Sequence, residues 1–407
     1  MLKTRSVFSA PLVSVVKGFN RAVCEKHRTR SGFPRPRKYS PSFYTAGPSA
    51  FAEMIRRPRV FEDEHLPRDL RHREAQVSEL IRALHRACTH GDQGVILTGP
   101  SGVGKTALGR VVLERYAREH GVQTAWVETM GKTTGDVFRN AITGVGGDVA
   151  HNTPNAELPR RLRDAITDDL LLLLDEGDDL AGSGTVWDLV SIPGVHAVIV
   201  VHDADDWLAR ADSRVRQRLH GGRIGLSRYR VTDLADILED RARVGLVDDA
   251  VRRRQLETIA DGVAGVARSG IQTLRSAAEI ATERGHDRIE DGDIEDAYER
   301  ARDRIRAANL SSLPYHHLVL YELVRDAGEL TGEQLHDRYE RVADAVYADD
   351  QTTRTPISRR DRRNKLAKLQ EYDLLERERL DHRWLYTAVD SELTPDRDIL
   401  SHCRVDY

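Results

Sequence analysis

The spacing of apolar residues changes along the chain and divides it into parts with different predicted structure. Between residues 54 and 230, short apolar runs such as GVILTG, LLLLLDE and HAVIVV alternate with segments of helical periodicity. Runs of this kind are typical of strands buried on both faces, so this part predicts an α/β domain whose parallel sheet is covered by helices. From residue 231 to 309 the strand-like runs stop, and four amphipathic stretches predict an all-helical unit.

A third unit is predicted from residue 310 to 390. Three helical patterns are followed there by DLLERERLDHRWLYTAV, whose alternating ends predict a hairpin of two short strands. Residues 391–407 are interpreted as a C-terminal tail.

Residues 1–53 contain ten Lys or Arg and a turn-rich stretch without helical period, which predicts a basic, disordered tail. A mis-assigned start, a transit peptide and an arm that binds DNA or an acidic surface are the alternatives for this segment.

Composition and charge exclude several classes of protein. No apolar run approaches the roughly 18–20 residues that a membrane span requires, so no membrane is expected as a partner. The three cysteines are far apart and lack C-x-x-C spacing, which argues against a disulfide framework or a Cys-based zinc site and suggests a reducing compartment. A net charge of −3 excludes a uniformly basic nucleic-acid coat protein but leaves room for a local basic patch.

A phosphate-binding loop is the first chemical signal. The sequence GPSGVGKT at 99–106 satisfies G-x-x-x-x-G-K-[ST] and lies between a predicted strand and a predicted helix. Its glycines allow backbone N–H groups to point at phosphate oxygens, and the helix N-terminus adds a favourable field. Lys105 would reach the β- and γ-phosphates. The predicted ATP-binding residues are Gly99, Pro100, Ser101, Gly102, Val103, Gly104, Lys105, Thr106 and Asp175.

The acidic end of the run LLLLLDE is the second predicted nucleotide-binding motif, beside the phosphate-binding loop. Asp175 follows a buried strand and would hold Mg²⁺ through water, while the Thr106 hydroxyl would ligate the same ion. Glu176 could then polarise the water that attacks the γ-phosphate. ATP and Mg²⁺ are therefore the expected cofactors.

The order of these segments resembles the archaeal replication initiators, which are AAA+ ATPases related to the origin recognition complex and to the loader of the replicative helicase. The similarity is carried by the two nucleotide motifs and by VFEDEHLPRDLRHRE, ADSRVRQRL and GVARSGIQTLRSAAEIA. It implies an AAA+ core at 54–230, a helical lid at 231–309 and a winged-helix domain at 310–390. It also implies binding to double-stranded origin-type DNA, recruitment of the replicative helicase, self-association on DNA and a cytoplasmic, nucleoid-associated location.

The resemblance also assigns roles to single residues. Arg268 falls where the family places a lid arginine that contacts the γ-phosphate. Arg214 falls where a neighbouring subunit would receive an arginine finger, with Arg218 as the alternative. Asp203 stands where the family has an asparagine that helps to place the hydrolytic water, and its negative charge predicts slow, switch-type hydrolysis. Together with Glu176, the residues Asp203, Arg214 and Arg268 form the predicted catalytic set.

A basic stretch near the C-terminus is the predicted DNA-binding element. Residues 351–369 carry seven cations, among them Arg354 and Lys368, against the single acid Asp361. Ser358 is a candidate N-cap of a helix that would enter a major groove, with His382 and Arg383 near the tip of a wing. A solvated charged helix is the alternative. The predicted DNA-contacting residues are Arg359, Arg360, Arg362, Arg363, Lys365 and Arg383.

Two other functions remain open at the level of the sequence. A winged-helix AAA+ ATPase could act in transcription regulation or in the maintenance of a mobile element. The stretch between residues 176 and 196 is short for the family, which suggests a divergent paralogue. A catalytically inactive paralogue that binds DNA, and binds ATP only for structure, is the second alternative. The residues do not distinguish these functions from an initiator.

Overall fold

A computed structural model describes residues 53–90, 94–180, 184–219, 222–348, 355–380, 383–396 and 399–400. The predicted basic tail, apart from its last residue, lies outside the described residues, and so do Arg354, His382 and the end of the predicted C-terminal tail. Within the described residues, no helix has both the length and the apolar character that crossing a membrane requires.

The first part of the chain forms a parallel sheet with helices on both faces. Its strands lie in the order β2-β3-β4-β1-β5 and are all parallel. They are β1 (Gly94–Thr98), β2 (Gln123–Glu128), β3 (Leu170–Asp175), β4 (Val195–Val201) and β5 (Arg223–Gly225). The helices are α1 (Glu74–His90), α2 (Lys105–His120), α3 (Thr134–Gly144), α4 (Leu158–Ala165), α5 (Thr185–Val190), α6 (Ala204–Arg210) and α7 (Ser213–Arg218).

The apolar run of β3 explains why this sheet has two covered faces. Alternate side chains of a strand point to opposite faces, and every residue of β3 is buried. Leu172 and Leu174 belong to the same buried cluster as Phe138 of α3, whereas Leu171 and Leu173 belong to a second cluster with Leu108 of α2. The predicted α/β fold with a doubly covered parallel sheet is confirmed.

The next four helices form a separate bundle. They are α8 (Val231–Gly245), α9 (Arg253–Gly262), α10 (Ala267–Arg284) and α11 (Asp291–Ser312). Phe61 is fully buried in the core of this bundle, and Arg241 Nη1 of α8 donates to Val60 O at 2.6 Å. Met54, Val60 and Phe61 therefore pack in the core of the helical bundle, whereas Leu70, closer to α1, packs against the core of the sheet.

The C-terminal part has the element order helix, strand, helix, helix, strand, strand. Its elements are α12 (Tyr315–Ala327), β6 (Glu329–Thr331), α13 (Gly332–Tyr347), α14 (Arg359–Glu371), β7 (Leu375–Leu380) and β8 (Arg383–Ala388). The strands form an antiparallel sheet in the order β6-β8-β7, which confirms the predicted hairpin and adds one strand that the sequence analysis missed. Ser358 Oγ accepts from Asp361 N at 3.2 Å, so the predicted N-cap of α14 is confirmed.

Candidate nucleotide site

The loop between β1 and α2 is shaped by its glycines. Gly99 has φ +145°, and a Cβ atom there would lie 2.1 Å from the carbonyl oxygen of Leu226, so only glycine fits without displacing the backbone. Gly104 has φ +90° and immediately precedes Lys105, the first residue of α2. The N-terminus of α2 therefore opens onto the loop, which is the arrangement that binds phosphate groups in proteins.

Lys105 lies across this loop. Its Nζ atom donates to Gly99 O at 2.7 Å and to Pro100 O at 2.9 Å. Burial lowers the pKa of Lys105, although the carboxylates of Glu176 and Glu371 act in the opposite direction. The ammonium group is thus held beside the backbone that would surround a triphosphate.

Asp175 ends the central strand β3 beside the first turn of α2. Thr106 Oγ1 donates to Asp175 Oδ1 at 2.9 Å, and Trp126 Nε1 donates to Asp175 Oδ2 at 3.4 Å. Burial and the neighbouring Glu176 raise the pKa of Asp175 to about 6. A hydroxyl and a carboxylate at this separation are oxygen donors of the type that Mg²⁺ prefers, so Thr106 and Asp175 fit the ion.

Glu176 occupies a turn that two residues outside the predicted site hold in place. Its φ of +52° is unusual for a residue other than glycine. Thr129 Oγ1 lies 2.8 Å from Asp175 O and 2.9 Å from Glu176 O, and the buried Trp207 donates from Nε1 to Gly177 O at 2.8 Å. No motif of the sequence marks Thr129 or Trp207. Thr129 follows the neighbouring strand β2 and Trp207 lies on α6, so both are far in sequence from the turn that they hold.

Arg73, in the DLRHRE segment, connects the phosphate loop to the start of the helical bundle. The residue is only 4% exposed. Its Nη2 atom donates to Ser227 O at 2.7 Å and to Val103 O at 3.3 Å, and its Nε atom donates to the hydroxyl of Tyr229 at 2.9 Å. The guanidinium also lies 3.9 Å from the centroid of the Tyr229 ring. The DLRHRE segment carries part of the family resemblance, but its residue types alone do not indicate this role for Arg73.

Replacing Arg73 by methionine is expected to destabilise the protein by about 2 kcal/mol, because three acceptors lose their buried donor. The matched control is Arg71→Met, which removes a partly exposed ion pair with Asp240 and is expected to cost less than about 1 kcal/mol. Thermal unfolding of the two variants beside the parent chain measures the difference. Equal melting temperatures for both variants would contradict the structural role of Arg73.

Asp203 lies at the N-terminus of α6 and is exposed. Its Oδ1 atom accepts from the backbone N–H groups of Asp205 and Asp206 at 2.8 and 3.0 Å, and these bonds lower the pKa of Asp203. The carboxylate is therefore charged and is used as a helix cap. Its predicted role in placing the hydrolytic water stays a prediction.

The two predicted catalytic arginines lie in different surroundings. Arg268 lies in the first turn of α10, where its backbone N–H donates to Gly102 O of the phosphate loop at 3.1 Å. Its side chain points elsewhere, to Asp63 at 2.7 Å and Asn309 at 2.7 Å. Arg214 of α7 is exposed and pairs with Asp212 at 3.1 Å. Contacts of either arginine with a γ-phosphate stay predictions.

Comparisons with known proteins agree with this geometry. A family model described as an AAA ATPase domain matches residues 69–354. ORC1-type DNA replication protein 9 of Halobacterium salinarum is 33% identical over 346 residues, which cover 83% of this chain and 95% of that protein. The chain belongs to the family of ORC1-type DNA replication proteins. The resemblance found in the sequence is thereby confirmed.

Other proteins that are similar to this ORC1-type protein are also named as ORC proteins. ORC1-type DNA replication protein 1 of H. salinarum is 31% identical over 297 residues, covering 70% of this chain and 95% of that protein. The structure of the Aeropyrum pernix ORC1 protein in complex with DNA superposes with a TM-score of 0.64 at 20% identity, covering 84% of this chain and 95% of that one. The A. pernix ORC2 protein in its ADPNP–ADP complexes gives 0.56 at 20% identity, covering 83% and 96%. These structures share the fold.

Helix α14 of this ORC1-type protein contacts the nucleotide site, which the sequence analysis did not predict. Lys368 Nζ donates to Glu176 Oε2 at 2.6 Å. One turn earlier, Lys365 Nζ lies 3.6 Å from Asp179 Oδ2. Near the end of the helix, Glu371 Oε1 lies 3.4 Å from His202 Nδ1 at the end of β4. One face of the helix is therefore docked on the loops that follow β3 and β4.

The predicted DNA-contacting residues separate into accessible and inaccessible ones. Arg360 and Arg363 are exposed on the outer face of α14, and neither forms an ion pair within the part of the chain that the structure describes. Arg383 is exposed at the start of β8. Arg359 is also exposed and lies 3.3 Å from Glu340. Lys365 is held by its ion pair on the docked face.

Arg362 requires a correction. It is 4% exposed, donates to His336 O at 3.1 Å and to Glu340 at 3.1 Å, and lies 4.4 Å from the centroid of the Tyr339 ring. The residue shares a helical face with the buried Leu366, four residues later. Its guanidinium joins α14 to α13, so we remove Arg362 from the DNA-contacting set.

The fold also brings together side chains that sequence spacing could not relate. Donor atoms of Cys88, Asp169 and His196 lie within 4.8 Å of one another. His196 is buried, and its Nε2 atom lies 3.1 Å from Asp169 Oδ1. Burial raises the pKa of the Cys88 thiol. The imidazole–carboxylate hydrogen bond accounts for the burial of His196.

Proposed function

We propose that this protein is an ATP-dependent, DNA-binding replication initiator that recognises origin-type DNA. The observation that carries the proposal is the docking of α14 on the nucleotide site. The helix turns Arg360 and Arg363 to the solvent while Lys368 contacts Glu176 beside the phosphate loop. One short helix would thus connect the proposed DNA-binding surface with the site of the nucleotide.

The nucleotide part of the proposal rests on the loop and the strand end. Backbone N–H groups of residues 99–106 and the Lys105 ammonium would bind the phosphates, and Thr106 and Asp175 would hold Mg²⁺. The ion would neutralise charge that develops on the phosphates. Glu176 would accept a proton from the attacking water. The A. pernix ORC2 relative, solved in ADPNP–ADP complexes, supports nucleotide binding.

Slow turnover is part of the proposal, since several polar groups at the site have other partners. The carboxylate of Asp203 caps α6, the guanidinium of Arg268 pairs with Asp63, and Glu176 pairs with Lys368. A long-lived ATP state suits a switch better than a motor. We propose that this state recruits the replicative helicase and self-associates on DNA, with the exposed Arg214 serving a neighbouring subunit.

The DNA part of the proposal rests on the C-terminal unit, which we interpret as a winged-helix domain. In this domain α14 would be the recognition helix and the β7–β8 hairpin the wing. Exposed Trp384, with Arg377 lying 4.1 Å from the centroid of its ring, gives the hairpin a surface suited to a DNA backbone. The A. pernix ORC1 relative, solved in complex with DNA, supports this interpretation.

Replacing Arg360 and Arg363 together by alanine is expected to weaken binding to duplex DNA by roughly 10- to 100-fold at physiological salt. Each lost phosphate contact should also reduce the slope of log K against log salt by about 0.9. Fluorescence anisotropy with a labelled duplex over a salt series measures both quantities. The matched control removes two exposed arginines from the AAA core, Arg118 and Arg163, and should leave the slope unchanged. An equal loss in both double variants would contradict a specific DNA-binding face.

Recognition of origins requires a separate experiment in the native host. Chromatin immunoprecipitation followed by sequencing is expected to give a few sharp peaks over repeated motifs at sites of replication initiation. Peaks spread over promoters, away from those sites, would favour the transcription regulator instead. The double variant of Arg360 and Arg363 serves as the control, because its peaks should disappear while the protein is still present.

A further inference from the structure

The carboxylate of Glu176 has a partner from the far end of the chain. Lys368 Nζ donates to Glu176 Oε2 at 2.6 Å, across 192 residues of sequence. The lysine side chain is 13% exposed and the glutamate side chain is 31% exposed, so water screens the pair only partly. Burial of Lys368 disfavours its charge, but Glu176, Tyr372 and Glu371 outweigh this effect and raise the pKa of Lys368. The ammonium group of Lys368 is therefore kept in its charged form beside Glu176.

This ion pair affects the group that hydrolysis needs. During hydrolysis the water oxygen forms a bond to the γ-phosphorus, the bond from that phosphorus to the β–γ bridging oxygen breaks, and a base takes the proton of the water. A carboxylate that accepts a short hydrogen bond from an ammonium group has its orientation set by that bond. Glu176 in this arrangement is directed to α14.

Other contacts support the position of the lysine. Lys368 Nζ also donates to Glu371 at 3.1 Å within α14 and lies 4.5 Å from the centroid of the Tyr372 ring. The pair between Lys365 and Asp179 lies one turn earlier on the same face of the helix. The lysine is thus held from its own helix, and the helix is held on the loop that follows β3.

We propose that Lys368 is a positioning residue that holds Glu176 away from the attacking water, so that docked α14 slows hydrolysis without preventing nucleotide binding. This inference rests on the proposed function, because it requires Glu176 to serve as the base for a bound ATP. It assigns to the C-terminal unit a direct effect on the chemistry of the AAA core. Release of Lys368 is then the step that makes Glu176 available.

The test is the Lys368→Met variant of the full chain, assayed with ATP and Mg²⁺. Loss of a charged hydrogen bond of this kind corresponds to roughly a 10-fold or greater change in an equilibrium, so kcat is expected to rise about 10-fold. The Kd for a fluorescent ATP analogue should change by less than about 3-fold. Lys368→Arg, which keeps the charge, should restore slow turnover. Combining Lys368→Met with Glu176→Gln should abolish the gain, because the effect acts through the glutamate.

Two controls separate this effect from a general disturbance of the helix. Gln370 lies on the same helix and donates to Leu366 O of that helix, so Gln370→Ala should hydrolyse ATP at the parent rate. Should Lys368→Met fail to fold by circular dichroism, carbodiimide cross-linking of the unmodified chain tests the pair directly. Mass spectrometry should then find a peptide joining Glu176 to Lys368, and the cross-linked protein should bind ATP without hydrolysing it.

The outcomes distinguish the inference from the function on which it rests. An unchanged kcat in a folded Lys368→Met variant that binds ATP overturns the inference and leaves nucleotide binding intact. ATP binding without hydrolysis in every variant overturns it as well. If the parent chain itself binds no ATP, the proposed function fails first. In the cross-linking experiment, absence of the Glu176–Lys368 peptide overturns the inference.

Discussion

Lys105→Ala should weaken ATP binding by at least about 100-fold. The ammonium group is the one side-chain cation of the phosphate loop, and hydrogen bonds to charged groups contribute about 1.5–3 kcal/mol each. Its position beside the carbonyl groups of Gly99 and Pro100 places it against the backbone that would surround the β- and γ-phosphates. Backbone N–H groups and the N-terminus of α2 remain in the variant, which limits the loss to the contribution of the lysine.

Isothermal titration with ATP and Mg²⁺ measures this loss directly. Lys132→Ala is the matched control, since this exposed lysine lies in the same AAA core outside the loop, and its Kd should stay within about 2-fold of the parent value. The melting temperature of Lys105→Ala should remain close to that of the parent chain in the absence of nucleotide. Retained ATP affinity in Lys105→Ala would refute the assignment of the phosphate site.

Glu176→Gln is expected to lower hydrolysis by roughly 100-fold or more while ATP still binds. General base catalysis contributes about 10²–10⁴-fold, and glutamine has the shape of glutamate without its basicity. The negative charge of Glu176 repels that of Asp175 and contributes to the raised pKa of Asp175. Glutamine removes this repulsion. Affinity for ATP with Mg²⁺ should therefore be equal to or tighter than that of the parent chain.

Single-turnover hydrolysis with radiolabelled ATP is the appropriate measurement, because the parent rate is expected to be low. Glu114→Gln changes an exposed glutamate on α2 and should keep the parent rate. This variant controls for the loss of one carboxylate from the same domain. Unchanged turnover in Glu176→Gln would mean that another group accepts the proton of the water. The variant and Lys368→Met act on the same glutamate and should change the rate in opposite directions.

Most of the fold could be predicted because its signals are local. The apolar run of β3 is buried on both faces, and the glycines of the phosphate loop have positive φ values that follow from a tight turn. Leu366 and Leu369 of α14 are buried, and their spacing is that of one helical face. The same periodicity could have identified Arg362, which lies four residues before Leu366 on that face. Its positive charge predicts an exposed side chain, but the guanidinium is buried against the aromatic ring of Tyr339.

Supporting residues of the site were harder to predict, because their contacts join distant segments. Arg73 precedes the phosphate loop in sequence, yet its acceptors include Ser227 and Tyr229 after the last strand of the sheet. Thr129 directly follows β2, the strand next to β3, and donates from its hydroxyl to Asp175 O. A single sequence contains no signal for such pairs, since each residue type is common and the pairing depends on sheet order and on helix packing.

The sequence by itself determined the α/β core, the phosphate loop and the acidic strand end, because each depends on neighbouring residues and on one backbone conformation. It also determined that α14 would be basic. Only the tertiary structure decided which of its cations remain exposed to solvent. Docking on the AAA core turns Lys365 and Lys368 inward to Asp179 and Glu176. Which face of a helix meets a partner depends on the packing of whole domains, and the charge pattern of the helix alone does not specify it.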